Sequence, residues 1–165
     1  MGDGQGDGVA GVDPDDQQLI RELYPALRRI AAVAGPVDVE PDDLVQEALM
    51  RTLRRHRLLD LDHPLAYLRT AIVNLASNQR RSAARRRRAF ERHGADSSTQ
   101  DAYPSDMSEL MALSPRARAL LYLVEVERLP YDHAAAQLGM TVTGARKAAS
   151  RARKRLRTVM EAGHA

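Results

Sequence analysis

The 165-residue chain has no cysteine and no tryptophan, and its one Phe and five Tyr hold the aromatic share at 4%. Without thiols there is no disulfide framework, no thiolate metal site and no cysteine nucleophile. The 44% of hydrophobic residues must build their cores mainly from Leu, Ala, Val and Met, which suits helices better than sheets. No apolar run approaches the roughly 20 residues a membrane helix needs, so no membrane insertion is expected. The opening Met1-Gly2-Asp3-Gly4 has no basic segment leading into an apolar run, so a soluble, cytoplasmic chain is expected. The five histidines (His56, His63, His93, His133 and His164) show no metal-ligand spacing. Asp60, Asp62 and His63 sit in a loop closed by Pro64, where turn chemistry accounts for them. A Gly-rich phosphate loop, a nucleophile elbow and a pair of catalytic carboxylates are all missing. The expectation is a protein with no catalytic residues, no metal and no cofactor, and not an enzyme.

The chain does have an uneven charge distribution, which the net charge of +3 conceals. Residues 80–92 carry Arg80, Arg81, Arg85, Arg86, Arg87, Arg88 and Arg92 against the single acid Glu91. Residues 146–157 carry Arg146, Lys147, Arg151, Arg153, Lys154, Arg155 and Arg157 with no acid. The first 62 residues lean the other way, thirteen acidic against seven basic. Two basic patches and an acidic half predict phosphate contacts in two places and a partner surface of different character.

Hydrophobic spacing is helical throughout, with no strand-like alternation. Residues 1–16 are Gly- and Asp-rich and are expected to be disordered, having too little apolar surface to offset ordering entropy. Leu19, Leu23, Leu27 and Ile30 mark a first helix that stops at Gly35-Pro36. Pro41-Asp42-Asp43 opens a second, with Leu44, Val45, Ala48, Leu49 and Leu53 on one face. Pro64 opens a third, with Leu65, Leu68, Ile72 and Leu75 as its buried stripe, and it runs on into the first arginine cluster. The stretch "GADSSTQDAYPSDMS" over 94–108 is polar and aperiodic, the pattern of a linker. Ser114-Pro115 then caps a helix carrying Ala117, Leu120, Leu121 and Val124, and two shorter helices follow. The fold class is all-α, two small helical domains joined by a flexible linker.

The segment from Tyr131 to Leu156 has the layout of a helix-turn-helix. That motif needs a small residue in the first helix, a tight turn and an apolar inner face on the second helix. Ala135, Gly139 and Ala145 fall at those places, with Leu138 and Met140 in the angle between the helices and Thr141 placed to cap the second. Its inner face is Ala145, Ala148, Ala149, Ala152 and Leu156. Its outer face presents Thr143, Arg146, Lys147, Ser150 and Lys154, groups able to reach base edges and phosphates in a major groove.

With its flanks, "LSPRARALLYLVEVERLPYDHAAAQLGMTVTGARKAASRARKRLR" resembles region 4 of the extracytoplasmic-function (ECF) sigma factors, a group of the sigma-70 family of bacterial RNA polymerase sigma factors. "PDDLVQEALMRTLRRH" and "HPLAYLRTAIVNLASNQRR" are similar to region 2 of the same group. The resemblance implies a region 2 helical bundle over 17–93 and a region 4 helix-turn-helix bundle over 109–160, separated by the linker. It implies that Asp43, Leu44, Val45, Gln46, Glu47 and Arg51 dock on the clamp helices of the largest subunit of core RNA polymerase, with the β flap as region 4's counterpart. It implies that Tyr67, Arg69, Asn74, Asn78, Arg80 and Arg81 meet the promoter −10 element, Tyr67 either stacking on a base or packing in the core. It further implies that Thr141, Thr143, Arg146, Lys147, Ser150, Arg151 and Lys154 meet the −35 element, and it permits an anti-sigma factor between the domains. The sequence departs from the family at Asn78, where Asp is usual, and at Ala145 and Ala149, where larger aliphatics are common. Gly144 in the last helix's first turn costs about 1 kcal/mol relative to Ala.

Two other readings fit parts of the chain. A self-sufficient helix-turn-helix regulator accounts for residues 110–160 but leaves the region 2-like half unexplained. An adaptor that sequesters a partner through its N-terminal helices fits poorly with two basic clusters.

Overall fold

The structure, a computed structural model, describes residues 12–92 and 110–163; the linker expected over 94–108 lies outside the described residues, as do residues 1–11. Three helices form the N-terminal module: α1 (Pro14–Ala34), α2 (Pro41–Leu53) and α3 (Pro64–Arg92). A single 3-10 turn, Leu58–Asp60, lies between the last two. The C-terminal module comprises α4 (Pro115–Leu121), a π-helical stretch Tyr122–Val126, α5 (Tyr131–Gln137) and α6 (Val142–Gly163). Among the described residues there are no strands.

Helix α1 starts at Pro14, inside the stretch expected to be disordered and three residues before the expected module start at 17. Asp13 caps it, its carboxylate accepting from the Asp15 amide at 3.0 Å, and Pro14 occupies the first helical position. Asp16, read from composition as part of a disordered end, is buried and accepts from the Leu59 amide at 3.2 Å. The correction has a physical cause: a partner 43 residues away supplies the ordering contact.

The three N-terminal helices all touch one another. They enclose Leu27, Ile30, Leu44, Val45, Leu68, Ile72 and Val73, each at most 1% exposed. Full burial of such side chains is worth about 1.5–3 kcal/mol apiece. Gly35 closes α1 where there is no room for a side chain. A Cβ there would lie 2.6 Å from the Ala31 carbonyl oxygen and 2.8 Å from Leu44 Cδ1. On the surface, the Tyr24 hydroxyl donates to Asp42 at 2.6 Å and the Arg28 Nε to the same carboxylate at 3.2 Å, tying α1 to the start of α2.

The C-terminal module is built on small residues. Ala119, Ala134, Ala135, Ala145 and Ala149 are at most 1% exposed, so helix axes cross closely, as the alanines of the sequence predict. The turn between α5 and α6 is a Schellman motif. Gly139 adopts φ 59°, its amide donates to Ala136 at 3.3 Å, and the Met140 amide donates to Ala135 at 2.9 Å. Arg128, at φ 57°, makes a similar reversal after the π-helical stretch without glycine's freedom, a strain of roughly 1 kcal/mol.

The two modules pack against each other as well as being successive in the chain. Helix α4 lies on α1 and α3, and α5 lies on α3. At the centre of the joint is Arg118, 4% exposed. Its Nε donates to the Val33 carbonyl at 2.7 Å and its Nη2 to Ala34 and Gly35 at 2.6 and 2.9 Å. The guanidinium thereby satisfies the free carbonyls at the C-terminus of α1, where a cation also meets the negative end of the helix dipole. Among the described residues no carboxylate pairs with this buried charge. Burial, reinforced by the nearby Arg80, pulls its pKa down to about 10.

Candidate promoter and polymerase interface

Helix α6 orients its side chains as its 3.6-residue repeat requires. Ala145, Ala149 and Ala152 are buried, while Thr141, Thr143, Arg146, Lys147, Ser150, Arg151 and Lys154 are all exposed. The Thr141 hydroxyl accepts from the Gly144 amide at 3.1 Å, the predicted cap. A Cβ at Gly144 would stand 2.9 Å from that hydroxyl, which explains a glycine where helix propensity disfavours one. One cation of the cluster, Arg153, is drawn inward. Arg153 pairs with Glu125 and donates to the Tyr131 hydroxyl at 2.8 Å, and these bonds raise its pKa. Arg146 keeps an exposed side chain, with its guanidinium 6.0 Å from the Tyr131 ring centre. The outer face is thus cationic, one-sided and long, the shape of a helix laid in a major groove.

On α2, Asp43, Gln46 and Arg51 are exposed and Glu47 is half-buried, with the Arg51 Nε bonded to Glu47 at 2.5 Å. Leu44 and Val45, expected beside them at the polymerase, point inward instead, at 1% and 0% exposed. Helical spacing requires this, because 44, 45, 48 and 49 share the core face. Sequence reading missed Met50, which is 49% exposed and lies one turn from Gln46 and Glu47. An exposed large apolar side chain within a charged helix face is the signal that could have found it.

Between α2 and α3 runs a groove of about 560 Å³ lined by Arg51, Arg54, Arg55, Tyr67, Thr70 and Asn74, among others. It brings Tyr67 and Asn74, expected at the −10 element, alongside Arg51, expected at the polymerase. Arg54 and Arg55 were not singled out from the sequence, although they follow Arg51 by three and four positions. Tyr67 is 41% exposed, with its ring edge-on to His56 at 5.7 Å between centroids, so it lines the groove and is not a core residue. An aromatic face, an amide and three guanidiniums suit an unstacked base and its flanking phosphates.

The other −10 candidates are placed less uniformly. Asn78 and Arg81 are exposed and bonded to each other. Asn74 accepts from Arg116 of the C-terminal module at 2.8 Å, and Arg80 donates to the Leu113 carbonyl. Arg69 is only 4% exposed. Its Nη2 contacts both Glu127 oxygens at 3.1 Å and its Nη1 donates to Gln137 at 3.1 Å. In this arrangement Arg69 faces the other module, away from solvent.

Among the described residues no group of three or more His, Cys, Asp or Glu is arranged to hold a metal ion, and no helix is long and apolar enough to cross a membrane.

Comparison with known proteins finds family matches in both parts of the chain. Residues 19–86 match the family model "Sigma-70 region 2", and residues 107–156 match "Sigma-70, region 4". The chain is 29% identical over 157 residues to the RNA polymerase sigma-E factor of Streptomyces avermitilis, covering 88% of this chain and 84% of that protein. It is 28% identical over 151 residues to the corresponding factor of Streptomyces antibioticus, with the same coverage of 88% and 84%. The sigma factor RpoE of Bartonella quintana, solved with the anti-sigma factor NepR, superposes with a TM-score of 0.65 at 25% identity, over 90% of this chain and 98% of that one. With both regions present in order on an all-helical frame, the chain belongs to the sigma-70 family as an ECF-type sigma factor, a protein that directs transcription initiation.

Proposed function

We propose that this sigma factor divides promoter contact between its modules, residues 17–93 holding core RNA polymerase and the −10 element and residues 109–160 reading the −35 element. The observation that carries the reading is the outer face of α6, where every residue expected at the −35 element is exposed and the buried alanines fix the orientation. Thr143, Arg146, Lys147 and Ser150 reach base edges and nearby phosphates, Arg151 and Lys154 hold the backbone, and Thr141 fixes the start of the helix.

The −10 strand enters the groove between α2 and α3. Tyr67 offers a stacking face, Asn74 reads a base edge, and Asn78, Arg80 and Arg81 continue the contact along α3. The exposed side of α2, with Asp43, Gln46, Glu47 and Arg51, meets the clamp helices of the polymerase's largest subunit, while Leu44 and Val45 hold that helix from beneath. The β flap is the counterpart of the C-terminal module. The polymerase performs all the chemistry and the factor itself is not an enzyme, needing no cofactor. Its place of work is the cytoplasm, with the polymerase. The Bartonella relative was solved with an anti-sigma factor, which supports a partner of that class here too.

Multi-round transcription with purified core polymerase and a promoter library tests the reading. New promoter-dependent transcripts and a stable core complex are expected. If neither appears, the reading fails. Tight, sequence-specific duplex binding without polymerase would point instead to a self-sufficient regulator.

A further inference from the structure

Where the loop after α1 meets α3 and the start of α4, the surface sinks into a cavity of about 660 Å³. Its walls carry four guanidiniums, Arg80, Arg86 and Arg87 of α3 and Arg118 of α4, against one acid, Asp38. Among the described residues none of these five is ion-paired. Arg80 and Arg118 both donate to the Leu113 carbonyl, so two like charges converge on one neutral oxygen. The Arg80 charge adds to burial in lowering the Arg118 pKa. The same cavity holds an unsatisfied polar group. Gln79 lines it, and its Oε1 is buried and accepts no hydrogen bond from any described residue. Val37, Val39 and Met111 add apolar surface to the lining.

We propose that this cavity binds a nucleoside polyphosphate, with its phosphates on Arg80, Arg86 and Arg87 and a base or ribose donor on Gln79 Oε1. The volume falls in the range of about 300–1,000 Å³ found for small-molecule sites, where apolar walls surround a few converging polar groups. Guanidiniums grip phosphate through paired N–H donors, and an anion between them relieves the repulsion of Arg80 and Arg118. A buried acceptor without a partner is unfavourable until a donor reaches it. The amino, imino and hydroxyl groups of a nucleoside are such donors, and a bare polyphosphate has none to offer.

A duplex presents its phosphates on a continuous outer surface. They can meet the exposed Arg86 and Arg87 but cannot follow them inward to the buried Gln79 oxygen. The site therefore goes beyond the promoter reading and shares only Arg80 with the residues assigned to the −10 element. It also draws on both modules, which gives a soluble metabolite a hold on each.

Titration calorimetry on the full chain, without polymerase or DNA, tests the proposal with ATP, GTP and inorganic tripolyphosphate as probes. One site per chain is expected, with ATP or GTP bound about 10-fold more tightly than tripolyphosphate, the gain that one hydrogen bond to a buried partner supplies. Saturating nucleotide should also raise the melting temperature. Gln79→Met should bring the nucleotide down to the tripolyphosphate level and leave tripolyphosphate unchanged. Arg86→Ala with Arg87→Ala should weaken both ligands by about 10-fold. These two side chains are exposed, so that variant is read on a folded chain. Arg155→Ala with Arg157→Ala, exposed on α6, removes the same charge and should change neither affinity by more than about 2-fold.

No saturable binding up to millimolar nucleotide overturns the proposal. Tripolyphosphate bound as tightly as both nucleotides overturns it too, because Gln79 would then play no part. Equal losses in the two arginine pairs would reveal a general attraction of polyanions to a basic chain, and would sink the site. Polymerase and promoter are absent from every arm, so none of these outcomes bears on the sigma-factor reading.

Discussion

Helices α3 and α6 are both long and basic, yet they use their cations differently. Helix α6 keeps six of its seven cluster cations exposed, all but Arg153. Helix α3 keeps its 80–92 cluster exposed as well, but it buries Arg69 against the opposite module and shares hydrogen bonds with it at Asn74 and Arg80. The difference lies in what packs across each helix. The alanine stripe of α6 faces its own module, leaving the other side open, whereas the middle of α3 carries α4 and α5 on the flank beside the groove. Charge density along a helix sets what it can attract; the neighbour across it sets what remains free to bind.

The sharpest way to break this contrast is on α6. Arg146→Ala with Lys147→Ala should weaken promoter binding by the holoenzyme by about 100-fold in a footprinting or filter assay, with the melting temperature unchanged because both side chains are exposed. Unchanged binding would mean that α6 is not the reading helix. The joint comes next. Arg118→Met removes donors from four carbonyls and should cost about 2 kcal/mol in urea unfolding, most of it from groups left unpaired at the end of α1. No loss would show that the modules are already apart in solution.

A smaller effect tests the start of the reading helix. Thr141→Ala should cost about 1 kcal/mol through loss of the cap. Gly144→Ala should come out near zero, because its gain of about 1 kcal/mol in helix propensity is offset by pressure on the same hydroxyl. The smallest effect belongs to the N-terminal module and involves neither basic helix. The Tyr24 hydroxyl, with Arg28, holds the Asp42 carboxyl below its ordinary value of 3.8. A depressed carboxylate stabilises the fold fully above that ordinary value and stops doing so as pH falls through the lower folded one. Melting curves of the unaltered chain and of Asp42→Asn should therefore differ slightly at neutral pH and converge in acid.

How much of this was legible in the sequence depends on the range of the contacts. The inward alanines of α6, the Thr141 cap, the Gly139 turn and the Pro-led starts of α2, α3 and α4 are local, and period and turn chemistry specify them. Leu44 and Val45 show a conflict between two kinds of reading: family resemblance carries the whole motif to the polymerase, whereas periodicity assigns these two to the core. Periodicity gives their side-chain direction. What could not be read was pairing at a distance. Arg118 reaches carbonyls more than 80 residues away, and Arg69 meets acceptors 58 and 68 residues further on. In the sequence these arginines are indistinguishable from their exposed neighbours. Asp16 is the same case at the other end, a polar residue in a polar stretch ordered by a backbone amide of a distant turn.

The bond between Arg153 and Glu125 has a thermodynamic consequence for DNA binding. A cation already neutralised within the protein displaces no counterions from a duplex, and each phosphate truly contacted contributes a slope of about −0.9 to the logarithmic salt dependence of binding. The basic run of 146–157 would suggest seven such contributions, but with Arg153 held by Glu125 and Tyr131, α6 can supply no more than six. Promoter affinity should accordingly fall less steeply with ionic strength than the sequence's charge count implies.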